Sequence, residues 1–227
     1  MMHPLASGPI LVDQVYQRVL EAIADGTLAP GQRVRQGELA ERLGISRQPV
    51  SHALHLLRRQ GLMRDSGRKG LEVVPIDPVR IRQLYEVRAA LDGAAARLAA
   101  GRAAADAPGR AALERALAAG REIAAAPAPP PVALLVTCDA GFHLALYRLS
   151  GNPVFEEITA PHWPHLHRAM AAVLALADLC ARLWQEHAAI AACVLAGDAD
   201  AAGAAARAHA LAAGQAAADT MCGPAAA

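Results

Sequence analysis

The sequence predicts a mainly α-helical protein of two domains, in which three helices and a short hairpin precede an all-helical domain. Apolar residues recur at helical spacing along most of the 227 residues, and much of the chain is alanine, which favours helix. Strand-like runs are confined to residues 62–64 and 71–74. We place the two domains at 10–75 and 76–222, with a disordered start (1–9) and a frayed tail (223–227).

The first predicted helix covers residues 11–25. Its apolar residues Val12, Val15, Val19 and Ile23 follow the helical period and form one buried stripe. A glycine at position 26 ends the helix.

The second and third predicted helices are separated by a tight turn. The second, over 38–43, stops at Gly44, because glycine adopts the left-handed conformation that follows a helix end. The third runs from Arg47 to about Gln60. Ser46 suits its N-cap, and Pro49 falls in its first turn, where a missing N–H does no harm.

A basic, turn-rich loop over residues 65–70 joins the two strand-like runs. Three helices followed by a hairpin is the order of a winged helix-turn-helix, a DNA-binding fold. Residues 30–70 hold nine Lys and Arg against three Asp and Glu, although the whole chain has a net charge of only +1. A local basic block indicates a nucleic-acid contact better than the overall charge does, but a solvated surface gives the same count.

The third helix is the predicted DNA-reading element. Val50, Leu54 and Leu57 fall on its inward face, which leaves the polar residues to face outward. Hydrogen-bonding side chains on such a face reach base edges, and the amino end of the helix accepts a phosphate. The candidate DNA contacts are Arg35, Ser46, Arg47, Gln48, Ser51, His52, Arg58, Arg68, Lys69 and Gly70.

The second domain opens with Asp77 as N-cap and Pro78 as the first helical residue. The core stripe of its first helix is predicted to be Leu84, Val87, Leu91 and Leu98. Every later segment is predicted to be helical.

The four cysteines contain no C-x-x-C pair, so neither a disulfide framework nor a thiolate zinc site is expected. The start of the chain lacks a signal-peptide pattern, and the longest uncharged stretch contains four prolines. We therefore expect no membrane span and a cytoplasmic protein.

The first domain resembles the GntR family of bacterial repressors and activators. The resemblance lies in residues 26–31 (GTLAPG), 38–50 (ELAERLGISRQPV), 53–54 (AL) and 61–62 (GL). It implies a transcriptional regulator, expected to be a homodimer on operator DNA, in which Arg47 reads the site. Ser51 and His52 stand where the family usually has Arg and Glu. A lost bidentate arginine removes about 1–3 kcal/mol of base discrimination, so either the operator differs from the family's common one or other residues compensate.

Asp139 and His143 are four residues apart and so project from one face of a helix. With His187 and His209 on later helical segments, they would suit Zn²⁺, Ni²⁺ or Mn²⁺. Spacing alone leaves open that each histidine is a surface residue or a satisfied core residue.

The second domain resembles the helical ligand-binding FCD domain that accompanies many GntR proteins. The resemblance lies in residues 139–146 (DAGFHLAL), 150–153 (SGNP), 186–190, 197–199 and His209. It implies that Asp139, His143, His187 and His209 hold a divalent metal, zinc first, and that a small carboxylate effector completes the coordination. Arg88 is predicted to pair with that effector, the alternative being a surface ion pair. Asp92 stands where the family usually has Glu.

The sequence therefore predicts a regulator and not an enzyme. One alternative is a helical metallohydrolase or oxygenase with an appended winged helix, and another is a regulator that senses the metal itself. A protein-binding winged helix also stays open. A cluster at His162, His165 and His167 suggests either a second metal site or, as we prefer, a connecting loop.

Overall fold

The computed structural model describes residues 9–24, 26–67 and 70–222, in two compact units that divide after Pro75. Apart from Pro9, which begins the first helix, the predicted disordered start and frayed tail lie outside the described residues, as do Arg68 and Lys69.

The first unit is a three-helix fold with a small antiparallel sheet. Val15, Val19 and Ile23 of the first helix are buried, as their spacing predicts. The predicted hairpin is joined by a third strand of only two residues, too short to leave a sequence pattern, and the strand order is β1-β3-β2. The elements are α1 (Pro9–Ala24), β1 (Arg33–Val34), α2 (Gln36–Leu43), α3 (Arg47–Arg59), β2 (Met63–Asp65) and β3 (Leu71–Val73).

The turn between α2 and α3 follows the predicted chemistry in its backbone. Gly44 has a φ of 66° and ends α2 in the left-handed conformation. Ser46 is the N-cap residue of α3, but its side chain makes no capping hydrogen bond. The exposed amino end of α3 therefore keeps backbone N–H groups available for another acceptor.

The second unit is helical throughout its described residues. Asp77 caps its first helix by accepting a hydrogen bond from the Val79 backbone N–H at 2.9 Å. The elements are α4 (Pro78–Arg102), α5 (Ala107–Ala124), α6 (Val132–Leu149), α7 (Val154–Thr159), a 3₁₀ turn (Ala160–His162), α8 (Trp163–Leu174), α9 (Ala177–Ala196) and α10 (Ala199–Cys222).

The predicted core stripe of α4 is wrong at two of its four positions. Leu84 is buried, but Val87 and Leu98 are 55% and 47% exposed. The buried face is rotated toward Tyr85 and a charged pair, Arg88 and Asp92, and is otherwise rich in alanine. The largest apolar residues of α4 therefore do not mark its buried face in the sequence.

Small residues set the distance between α4 and α10. A Cβ atom on Gly93 would lie 3.1 Å from the Gly203 carbonyl oxygen, and one on Gly214 would lie 2.4 Å from the Cβ of Tyr85. The two helices therefore approach each other through their backbones, with no room for a methyl group at Gly214.

Helix α6 is long and apolar enough to span a membrane by length and composition. Within the protein 56% of its residues are buried, and Asp139 and His143 are among them. These features are typical of the central helix of a folded core.

Candidate metal centre and DNA-contacting surface

Helix α3 presents one polar side to an open groove in the first unit. Val50, Ala53, Leu54 and Leu57 are fully buried, so the opposite residues face outward. The predicted contacts that line this groove are Arg35, Arg47, Ser51, Arg58 and Gly70. Those that are exposed on the same helix or its cap but lie outside the groove are Ser46, Gln48 and His52.

The arginines of this groove differ in whether they form an ion pair within the protein. Arg35 pairs with Glu38 at 2.9 Å, and Arg58 donates to both carboxylate oxygens of Asp65 at 2.9 and 3.0 Å. Arg47 makes no ion pair with any residue that the structure describes. Gly37 has no side chain, and this leaves space for the guanidinium of Arg47. A Cβ atom at position 37 would lie 3.5 Å from Arg47 Nη2. Arg47 is thus the arginine best able to reach a new partner.

Four side chains from three helices of the second unit converge on one buried point. Asp139 and His143 come from α6, His187 from α9 and His209 from α10. One ligand atom from each lies within 4.8 Å of all the others, and each of the four residues is at most 4% exposed. The structure therefore brings together the four residues that the sequence singles out.

The three imidazoles meet through the same ring atom. His187 Nε2 lies 3.2 Å from His143 Nε2 and 3.0 Å from His209 Nε2, and Asp139 Oδ1 is 3.5 Å away. Ligand nitrogens around a cation with bonds of about 2.0–2.1 Å are spaced by about 3.3–3.4 Å in a tetrahedral site and by about 2.8–3.0 Å in an octahedral one. The observed spacing fits such a cation.

Two further carboxylates lie behind the histidines. Glu186 Oε2 is 2.8 Å from His209 Nδ1, and Asp92 Oδ2 is 3.2 Å from His143 Nδ1. The contact with Asp92 is not aligned as a hydrogen bond, but the negative charge still favours a proton on Nδ1. Both rings are therefore held with Nδ1 protonated, the arrangement found in carboxylate–histidine–metal sites.

This tautomer assignment leaves lone pairs facing one another. With Nδ1 protonated, Nε2 of both His143 and His209 is an acceptor. His187 Nε2 lies between them and can donate to only one, while its own Nδ1 is buried without a hydrogen-bond partner. A cation at the centre would bind all three lone pairs and the Asp139 carboxylate, so the donor set fits a divalent metal.

Burial keeps two of these imidazoles neutral, which is the form that binds a metal. Desolvation lowers the pKa of His143, with a further lowering by Arg88. Desolvation also lowers the pKa of His187 well below its usual range, and the neighbouring His209 and His143 add to the effect.

Asp92 connects this cluster to Arg88. Its Oδ2 lies 3.3 Å from Arg88 Nε, and the Tyr147 hydroxyl donates to Oδ1. Burial alone would raise the pKa of Asp92, but Arg88 and His143 outweigh it and hold the pKa at about 2. The carboxylate is therefore charged and shared by an arginine, a histidine and a tyrosine.

Arg88 also faces a small cavity beside the cluster. It is 3% exposed, and its Nη2 has no hydrogen-bond partner. Asp139 and His209 line the same cavity, whose volume of about 10 Å³ is close to the minimum for one water molecule. The guanidinium of Arg88, which pairs with Asp92 but whose Nη2 has no partner, thus lies beside the candidate metal ligands, and this buried pair is not the surface ion pair of the alternative interpretation.

The remaining histidines do not form a second cluster among the described residues. His162 lies in the 3₁₀ turn, while His165 and His167 lie on α8, so the predicted connecting loop is wrong. Pro164 is compatible with helix because it occupies the first turn, where no N–H donor is needed. On a helix, residues two positions apart point to different sides.

Sequence reasoning missed Glu186 and the bridging role of Asp92. Glu186 is adjacent in sequence to His187 but contacts His209, 23 residues away. Such contacts arise only when α9 and α10 pack together, so no spacing in the sequence signals them.

Comparisons with known proteins agree with this two-domain fold. The family "Bacterial regulatory proteins, gntR family" matches residues 11–73, and the family "FCD domain" matches residues 83–212. An HTH-type transcriptional regulator in the TAR-I ttuE-ttuC' intergenic region of Agrobacterium vitis is 38% identical over 85 residues, which cover 37% of this chain and 50% of that protein. The HTH-type transcriptional regulator YdhC of Bacillus subtilis (strain 168) is 31% identical over 85 residues, with 37% and 38% covered. The matches thus span half or less of these relatives, which are named as regulators and not as enzymes.

Solved structures extend the likeness of fold to nearly the whole chain. A GntR transcriptional regulator from Rhodococcus sp. RHA1 superposes with a TM-score of 0.74 at 22% identity, covering 90% of this chain and 95% of that one. McbR/YncC of E. coli gives a TM-score of 0.71 at 20% identity, covering 88% and 92%. The chain belongs to the gntR family of bacterial regulatory proteins, with an FCD domain following its winged helix-turn-helix.

Proposed function

We propose that this protein is a DNA-binding transcriptional regulator whose helical domain binds a divalent metal and a small carboxylate effector. The observation that carries the ligand part is the buried cluster of three imidazole nitrogens and one carboxylate, with Arg88 beside it. A divalent metal held by these four residues would take the carboxylate as a further ligand, with a coordination number above four, and Arg88 would supply the opposite charge. Nickel and manganese are the alternative metals.

The DNA-binding part rests on the exposed side of α3. Arg47 is exposed and without an ion pair among the described residues, and the N–H groups at the start of α3 are not capped by Ser46. A free guanidinium reads base edges, and uncapped N–H groups bind phosphate. Ser46, Gln48, Ser51 and His52 complete the proposed reading surface. Arg35, Arg58, Arg68, Lys69 and Gly70 are proposed to contact the DNA around it.

We further propose a homodimer in the cytoplasm, acting on two half-sites. Two recognition helices related by a two-fold axis would meet a pseudo-palindromic operator. An effector that favours one arrangement of the two heads would change operator affinity by the usual coupling of about 1–3 kcal/mol.

Replacing Arg47 with alanine is expected to weaken binding to the preferred operator by about five- to 150-fold, because a bidentate base contact provides about 1–3 kcal/mol of discrimination. The operator is first obtained by selecting random DNA on the purified protein, and affinity is then measured by fluorescence anisotropy. Arg18→Ala, which removes an exposed arginine from α1, is the matched control and should bind like the wild type. Binding that ignores both DNA sequence and salt would contradict DNA recognition, because phosphate contacts must weaken as salt rises.

One observation favours a second candidate, in which the metal itself is the signal. The cavity beside the cluster, at about 10 Å³, is filled by roughly one water molecule. We expect Zn²⁺ alone to change operator affinity little, and Zn²⁺ with propionate to change it by about five- to 150-fold. A titration of operator affinity with zinc, with and without the acid, separates the two. If zinc alone produces the full change, the metal is the effector.

A further inference from the structure

Apart from the candidate metal ligands, the cavity beside the metal centre is lined by one charged residue and six uncharged ones. Its cationic lining group is Arg88, and Asp139 and His209 belong to the candidate metal centre. The other lining residues are Tyr85, Met170, Val173, Leu174, Leu183 and Ala213. None of these six carries a charge.

The phenol of Tyr85 does not add a charge to these walls. Burial raises the pKa of Tyr85, so the group stays neutral and offers at most one O–H. The walls therefore offer a charged partner to one carboxylate, at Arg88 beside the metal ligands, and any further part of a ligand that displaces Met170 would lie against hydrocarbon.

A second carboxylate would have no cation to meet on these walls. Burying an unpaired carboxylate is strongly unfavourable, while an alkyl group gains from the same surroundings. The chemistry of the walls thus selects against di- and tricarboxylates and in favour of an acid with an apolar body.

The size of the ligand is limited by Met170. This side chain, on α8, is 5% exposed, and its Sδ lies 3.9 Å from Arg88 Nη1. It therefore occupies space directly beside the guanidinium that would pair with the acid. Methionine is unbranched and adapts its shape readily, so a small ligand displaces it more easily than a branched side chain.

We infer that the effector is a compact monocarboxylate with an apolar body, held by Arg88, and that Met170 limits its length. The inference rests on the proposed function, since it assumes that a carboxylate reaches the metal centre. It goes further by naming the class of acid and the residue that selects its size.

Isothermal titration calorimetry on the full zinc-loaded chain tests the class of acid. The probes are acetate, propionate, butyrate and hexanoate, compared with succinate and glutarate at equal ionic strength, and propionamide serves as the uncharged control. A short monocarboxylate is expected to bind at least about tenfold more tightly than either dicarboxylate, a factor that corresponds to about 1.4 kcal/mol. Propionamide should not bind.

The outcomes separate the inference from the proposed function. Equal or tighter binding of the dicarboxylates overturns the inference but leaves a carboxylate-responsive regulator in place. If zinc binds but no acid of either class does, the effector part of the proposed function falls together with the inference.

The role of Met170 is tested with Met170→Ala and the milder truncation Met170→Val. Both should improve hexanoate binding relative to propionate, the alanine variant more than the valine variant, because each leaves more room beside Arg88. Met170→Leu, which keeps the volume, should retain the wild-type preference. An unchanged order of acids in the folded truncation variants would show that Met170 does not set the size limit.

Discussion

Replacing His187 with alanine is expected to abolish the stabilisation of this protein by zinc. His187 is fully buried, and its Nε2 is the atom that lies within 3.0–3.2 Å of both other imidazole nitrogens. Mutating a partner behind a metal ligand typically costs 10–100-fold in affinity, so removing the central ligand itself should cost more than about 100-fold. At zinc a hundred times the wild-type Kd, the lost stabilisation is then about 2.3–2.7 kcal/mol.

The measurement is the melting temperature of each variant with zinc and with EDTA, so that every variant serves as its own reference. A change seen in EDTA reports on the packing of the ring, whereas the zinc-dependent difference reports on the metal. His162→Ala is the matched control, because it removes a histidine outside the cluster. A zinc-dependent rise in His187→Ala equal to that of the wild type would rule out the proposed centre.

Asp92→Ala should lower the free energy of unfolding by about 3–5 kcal/mol, because it leaves the buried guanidinium of Arg88 without its carboxylate. The same change removes the group behind His143 Nδ1 and should weaken zinc binding by about 10–100-fold. Stability is measured by urea unfolding in EDTA, and zinc affinity by competition with a chelating dye.

Asp92→Ala must be compared with the wild type at a pH at which the wild-type Asp92 carboxylate is charged. The pKa of Asp92 is held at about 2 in the folded protein, below the value of about 3.9 in an unfolded chain. Its stabilisation is therefore complete above about pH 4 and is lost as the pH falls through 2. Measurements at pH 7 compare the fully charged pair.

A double variant distinguishes loss of the pair from general damage. Arg88→Met combined with Asp92→Ala removes both charges and should recover much of the stability, since replacing both members of a buried pair with apolar groups is often close to neutral. It should not recover zinc affinity, because His143 still lacks its carboxylate. If the double variant is as unstable as Asp92→Ala alone, the charge argument is wrong.

Much of the first unit is predictable from its sequence because its signals are local. The stripe through Val15, Val19 and Ile23, the glycine at position 44 and Ser46 each act within one or two helical turns. β1 escapes prediction because two residues carry no period, and its pairing depends on β3 across 38 or so residues of chain.

The second unit is less predictable from its sequence, because several of its contacts join helices that are far apart in the chain. The four metal-binding candidates follow from a resemblance and from the spacing of Asp139 and His143, and the structure brings all four together. Val87 and Leu98 mislead because size was taken as a sign of burial, whereas α4 buries alanines and a charged pair. Glu186 depends on the packing of separate helices, which a single sequence does not display.

The close backbone approach of α4 and α10 has a consequence for how this domain tolerates mutation. Arg88 and Asp92 lie on one of these helices and His209 on the other, so the crossing at Gly93 and Gly203 fixes their separation. A bulkier residue at the crossing would force the helices apart and misplace a ligand without touching it. Neither glycine has a functional group. Both positions should nevertheless tolerate substitution as poorly as the metal ligands do, because a larger side chain at either one would displace those ligands.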